Sequence, residues 1–169
     1  QEEGIIVLAD TGIVERNHIK NNGLRTGGFG ENFDFAGITV DGIGGQVAKQ
    51  MTVVNNMISG NYAGGGGRTG IVVRTRRARI IHNTIIHPTR QVISTGIDLT
   101  NGDSSTVQNN IVIEYGIRNI VLVAPLVLFR QSNGAAGLVS DYNVFFCADT
   151  GGFIVTRGSV RFRSLSAYR

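Results

Sequence analysis

The sequence predicts an all-β chain wound into stacked coils, and three observations predict it. The first is a repeat: Gly70-Ile71-Val72-Val73 returns as Gly96-Ile97-Asp98-Leu99, a step of 96−70 = 26 residues. The second is an asparagine on nearly the same period, since 83−56 and 110−83 are both 27 for Asn56, Asn83 and Asn110. The third is composition. Each unit holds short runs of Ile, Val and Thr broken by Gly and Asn, with no helical periodicity longer than a turn. Such runs suit strands. A unit this short cannot bury its apolar face alone and must stack on its neighbours.

In chain order, residues 4–23 read as a first coil with strands in Gly4-Ile5-Ile6-Val7-Leu8 and Gly12-Ile13-Val14-Glu15. The apolar residues alternate, so one face of each strand turns to the core. No amphipathic helix precedes this coil, so its edge reads as exposed, as paired with a second subunit, or as cut from a longer protein. Lys20 to Ala36 is a Gly/Asn-rich excursion whose Phe29, Phe33 and Phe35 cap a coil end or stack on sugar rings. The second coil, Gly37-Ile38-Thr39-Val40 and then Thr52 to Ile58, carries an insert from Asp41 to Lys49. The run Gly64-Gly65-Gly66-Gly67-Arg68 lacks a Gly-Lys-Ser/Thr ending and leads into a strand, which excludes a phosphate loop. Coils three and four are the regular ones. Tyr115 to Val123 reads as a further strand pair, Pro125 to Asn133 finds no place in a coil, and Val139 to Phe146 and Gly152 to Val155 supply the last strands. The repeated Asn is expected to turn one strand into the next, because Asn tolerates left-handed backbone better than other non-glycine residues.

The Gly-Ile starts at Gly12, Gly37, Gly70 and Gly96, the column Asn17, Asn56, Asn83, Asn110 and Asn143, and the segment Ser140-Asp141-Tyr142-Asn143-Val144-Phe145 resemble the pectate-lyase-like superfamily. The resemblance covers most of the chain. It implies a right-handed parallel β-helix, a single-stranded solenoid of about five to six coils, about 25–30 Å long at about 4.8 Å per coil. It also implies a ladder of asparagine amides, a secreted or extracytoplasmic location, and a substrate groove along the outer face of the first strand stack. It specifies the fold and matches no one activity. The ending Arg163 to Arg169 resembles a short helix that follows the last coil in related proteins, where the chain continues. Residues 1–169 therefore read as one domain, truncated at one or both ends.

Composition narrows the partners. Sixteen Lys and Arg, fourteen of them Arg, stand against twelve Asp and Glu, which fits an anionic partner. Cys147 is the one cysteine, so no intrachain disulfide forms. No run of 18 apolar residues occurs, so no segment reads as a membrane span. The start, Gln1-Glu2-Glu3-Gly4, lacks the basic-then-apolar pattern of a secretory signal.

Alternation places Thr39, Val72 and Asp98 outward at two residues past each Gly, and Asp41, Arg74 and Thr100 outward at four. Adjoining loops add Lys49, Arg76, Arg77 and Asp103. Asp41, Arg74, Asp98 and Arg76 are the candidates for binding an acidic or neutral polysaccharide; Arg74, Arg76, Lys49, Asp41 and Asp98 are the candidates for catalysis. Eliminating across a uronic acid needs a cation to neutralise the carboxylate and a base for the C5 proton, for which Arg74, Arg76 and Lys49 are of the right type. The resemblance implies Ca²⁺ as an aid to that chemistry, yet no calcium-binding carboxylate cluster and no other cofactor site is recognisable. Hydrolysis needs two carboxylates about 5–5.5 or 6.5–9.5 Å apart. Asp41 and Asp98 fall two coils and two residues apart, about 11–12 Å, so lyase chemistry is favoured over hydrolysis. A simpler reading makes Asp41 and Arg74 a surface ion pair on adjacent coils. His82 falls in the column of Asn55 and Asn109, and no carboxylate completes a metal site with it and His87. Nucleic acid is disfavoured, because no stacking aromatics are interleaved between Arg74 and Arg79. The leading expectation is a carbohydrate-interacting module, in its concrete form a polyuronate lyase. The rival is a non-catalytic structural or adhesive β-helix that forms homo-oligomers through an uncapped end.

Overall fold

The computed structural model describes residues 4–20, 35–43, 48–60, 68–87, 94–114, 127–131, 136–147, 153–157 and 160–164. They form seventeen strands in three sheets, with no α-helix among them. The first sheet takes β1 (Ile5–Leu8), β4 (Phe35–Asp41), β7 (Arg68–Val73), β10 (Ser94–Leu99), β13 (Val127–Gln131), β16 (Phe153–Arg157) and β17 (Val160–Phe162) in that order. The second takes β2 (Thr11–Glu15), β5 (Gln50–Val54), β8 (Arg79–Ile81), β11 (Thr106–Gln108) and β14 (Val139–Asp141). The third takes β3 (His18–Lys20), β6 (Met57–Ser59), β9 (Thr84–His87), β12 (Ile111–Glu114) and β15 (Val144–Cys147). Through β15, each trio of strands adds one strand to each sheet, and every such pairing is parallel. This arrangement is consistent with a parallel β-helix, and each trio is here termed a rung. Only β17 is antiparallel, folding back on β16.

The register stacks like on like. Ile5, Ile38, Ile71, Ile97, Phe129 and Val155 form one column of the first sheet. Val14, Val53, Ile80 and Val107 form a column of the second, and Ile19, Ile58, Ile85 and Val112 a column of the third. All except Ile5 are buried, and together they make one continuous core. Burying each such side chain contributes about 1.5–3 kcal/mol. At the last rungs the aliphatic stacking gives way to rings, with Phe129 and Phe145 stacked at 6.3 Å between centroids.

The recurrent Gly before Ile has a packing reason at the centre of the chain. A Cβ on Gly70 would lie 2.5 Å from Cγ2 of Ile85 and 2.6 Å from the carbonyl oxygen of Gly96. The backbone of the first sheet approaches the third too closely there for any side chain. The same rule does not place Gly12. Ile5 pairs with Ile38 and Gly12 with Met51, so Gly4 stands at the rung start and Gly12 lies in the second sheet.

The asparagines form a continuous ladder. Nδ2 of Asn17 donates to Oδ1 of Asn56 at 3.0 Å, Asn56 to Asn83 at 3.0 Å, Asn83 to Asn110 at 3.0 Å and Asn110 to Asn143 at 2.9 Å. The backbone N–H of each donor Asn reaches the same oxygen at 3.0–3.1 Å. Each oxygen thus accepts two bonds, and Asn56, Asn83 and Asn110 are buried. The sharp turn is not made by these residues, contrary to expectation. The left-handed backbone belongs to the residue before each: Arg16 (φ 56°), Asn55 (57°), His82 (56°), Asn109 (54°) and Tyr142 (53°). Placing the left-handed residue one step early leaves the ladder Asn pointing inward. His82 accordingly stands exposed at the corner, outside the amide ladder.

Segments that sequence left open are now placed or lie outside the described residues. Val127–Gln131 within the unassigned stretch is β13. The loop at 20–36 is shorter than expected, since Phe35 and Ala36 open β4. The expected strand pair at 115–123, the rings of Phe29, Phe33 and Phe35, the glycine run 64–67 and the end 165–169 fall outside what is described.

Candidate functional site

Of the expected outward positions on the first sheet, two are covered. Thr39 is 7% exposed and Val72 4%, so the column two residues past each Gly is not an open groove floor at those rungs. Asp98, next in that column, is half-buried. Its other neighbour in register is Arg130 of β13, a residue missed from sequence because the step from Asp98 to Arg130, 130−98 = 32, departs from the 26-residue step before it.

Asp41 and Arg74 meet on adjacent rungs. Arg74 Nη1 donates to Asp41 Oδ2 at 3.3 Å, and the Gly42 N–H donates to Asp41 Oδ1 at 2.8 Å. Both carboxylate oxygens are engaged. A guanidinium offers donors and no acceptor, and the donor described here is given to Asp41. Asp41 and Asp98 keep the separation of two rungs and two residues that disfavours paired-carboxylate hydrolysis.

The remaining candidates gather at the corner between the first and second sheets. Backbone bonds stack this corner rung on rung: the Lys49 N–H donates to the Asp10 carbonyl at 2.9 Å, Arg76 to Ala48 at 3.1 Å and Arg77 to Asp103 at 2.8 Å. Lys49 Nζ lies 3.1 Å from Asp10 Oδ2, and Arg76 Nε lies 3.9 Å from Asp103 Oδ2. Side chains of Lys49 and Arg76 are 77% and 66% exposed. Cations therefore occupy the second and third rungs and aspartates the first and fourth. Beneath them Thr75 is buried, and its hydroxyl has no hydrogen-bond partner among the described residues.

Sequence held a signal for Asp10 that the repeat alone did not exploit. Lys49 follows Asp10 by 39 residues, the same offset that separates Asn17 from Asn56. Among the described residues no three His, Cys, Asp or Glu side chains are grouped to hold a metal ion. No helix of the described residues is long and apolar enough to cross a membrane.

No protein-family model, curated protein or solved structure matches the chain.

Proposed function

We propose that the chain is an exported right-handed parallel β-helix of the pectate-lyase-like kind, and that it binds acidic polysaccharide at the corner between its first and second sheets. One observation carries the reading: Lys49 and Arg76 stand on neighbouring rungs, largely exposed, with only weak surface pairs to Asp10 and Asp103. Such pairs contribute about 0–1 kcal/mol each. The carboxylates of a polyuronate laid along the stack can replace the aspartates at little cost, and the positive band steers them in.

Binding without turnover is the favoured form of this proposal. The pairing of Arg74 with Asp41 favours charge neutralisation over proton abstraction for Arg74, and leaves Lys49 and Arg76 as the candidates for a base. Affinity electrophoresis in polygalacturonate, alginate and neutral dextran tests it. Retardation is expected in the two polyuronates at low salt and is lost at high salt. The Lys49→Ala/Arg76→Ala variant should bind about tenfold more weakly, or roughly 0.7 kcal/mol per cation. Equal migration in all three gels overturns the proposal. Absorbance growth at the unsaturated-uronate band would restore the lyase form.

A further inference from the structure

The corner between the second and third sheets carries a largely exposed aromatic residue at its last rung. Every rung turns there through one left-handed residue, and the three middle rungs use Asn55, His82 and Asn109, the types that tolerate this conformation. The last rung uses Tyr142, at φ 53° and 74% exposed. A bulky side chain in left-handed backbone is strained. Its exposure returns little burial in exchange, and no hydrogen bond or ring contact of its side chain occurs among the described residues.

The surroundings of Tyr142 have the chemistry of a pyranose. Asp141, exposed beside it, is held in place by the Tyr142 N–H, which donates to Oδ1 at 2.9 Å. Asn109, one rung back on the same corner, is exposed, and its backbone N–H reaches the Asp141 carbonyl at 3.3 Å. Gln108 pairs in register with Asp141 and is half-buried. On the other flank Val144, two residues on, is exposed, as is Ile111 beside it in register. Tyr142 thus has a carboxylate and amides at adjoining chain and register positions and exposed aliphatic residues at the positions that follow.

We propose that Tyr142, Asp141 and Asn109 form a binding site for an uncharged, hydroxyl-rich glycan, separate from the cationic corner and independent of it. The tyrosine ring stacks on the apolar C–H face of a sugar. The Asp141 carboxylate accepts hydroxyl O–H donors in charge-assisted bonds, and the Asn109 amide serves the next hydroxyl. His82 and Asn55 continue the ridge at about 4.8 Å per rung, so an extended oligosaccharide lies along the stack axis. An uncharged ligand fits because Asp141 would repel a uronate.

Isothermal titration with cellohexaose, xylohexaose and mannohexaose tests the site. At least one hexasaccharide should bind the wild type with an affinity insensitive to salt, which separates this site from the polyuronate corner. Tyr142→Asn installs the residue type that neighbouring rungs use, so its thermal midpoint should match or exceed that of the wild type while binding falls at least tenfold. Tyr142→Phe keeps the ring and should retain binding within about threefold. Lys49→Ala/Arg76→Ala should leave hexasaccharide binding unchanged. Absence of binding by all three sugars overturns the proposal. So does unchanged binding in Tyr142→Asn, and a lower midpoint for that variant would show that the ring serves the fold instead.

Discussion

The two corners that flank the second sheet share one rung period and are built from opposite physics. At the corner toward the third sheet, asparagines bond to one another through every rung, buried at the three middle ones. Asn83 alone takes part in five side-chain bonds, accepting two from Asn56 and donating to Val53, Ile81 and Asn110. At the corner toward the first sheet, exposed Lys49 and Arg76 face aspartates at 3.1 and 3.9 Å. A buried amide cannot exchange its partners for water, so each lost bond is felt in full. An exposed ion pair can, so it contributes little. Register is held at one corner by buried amides, while the other is lined by exposed charges that contribute little to it.

At the rung of Asn143 side chains of the same turn serve as acceptors, whereas His82 and Asn109 donate their N–H to a carbonyl of the neighbouring rung. Asp141 accepts the Tyr142 N–H, and Ser140 Oγ accepts from Asn143 Nδ2 at 3.3 Å. In the first sheet β17 closes over β16 antiparallel. The first rung carries no such fold-back among the described residues: β1, β2 and β3 are terminal strands of their sheets.

The contrast between the corners can be broken most directly at Asn83. Asn83→Ala leaves the Asn56 N–H and amide without their acceptor inside the core, and should lower stability by about 4 kcal/mol, or about 10 °C in midpoint. A loss under about 1 kcal/mol in urea denaturation would show that the ladder does not hold the register. A smaller effect of opposite sign is expected beneath the charged corner. Thr75→Val removes a buried hydroxyl without a partner among the described residues and should stabilise by about 1 kcal/mol, raising the midpoint by about 2–4 °C. Destabilisation would mean that the hydroxyl is engaged. The smallest effect belongs to Asp41 and Arg74. A double-mutant cycle should give a coupling of about 0.2–1 kcal/mol that fades at high salt. A salt-insensitive coupling well above that range would place this pair with the ladder instead.

Much of this was legible in the chain. Asn17, Asn56, Asn83, Asn110 and Asn143 could be named as one column because the amide must recur wherever the backbone recurs. The Asp41–Arg74 pairing followed from counting rungs. The charged corner was half read: Lys49, Arg76, Arg77 and Asp103 were singled out, while Asp10 was not. Arg130 escaped because the longer step from β10 to β13 interrupts the count.

The sequence by itself determined the strands of the regular rungs, their period and the ladder, because alternating apolar side chains and a fixed amide are local demands that repeat at constant offsets. Only the tertiary structure decided that the turn residue precedes the ladder Asn and that Thr39 and Val72 are covered. It also decided that Gly70 must lack a side chain. Those outcomes depend on which distant segment lies against a residue, and that proximity is not written in the residue's own neighbourhood.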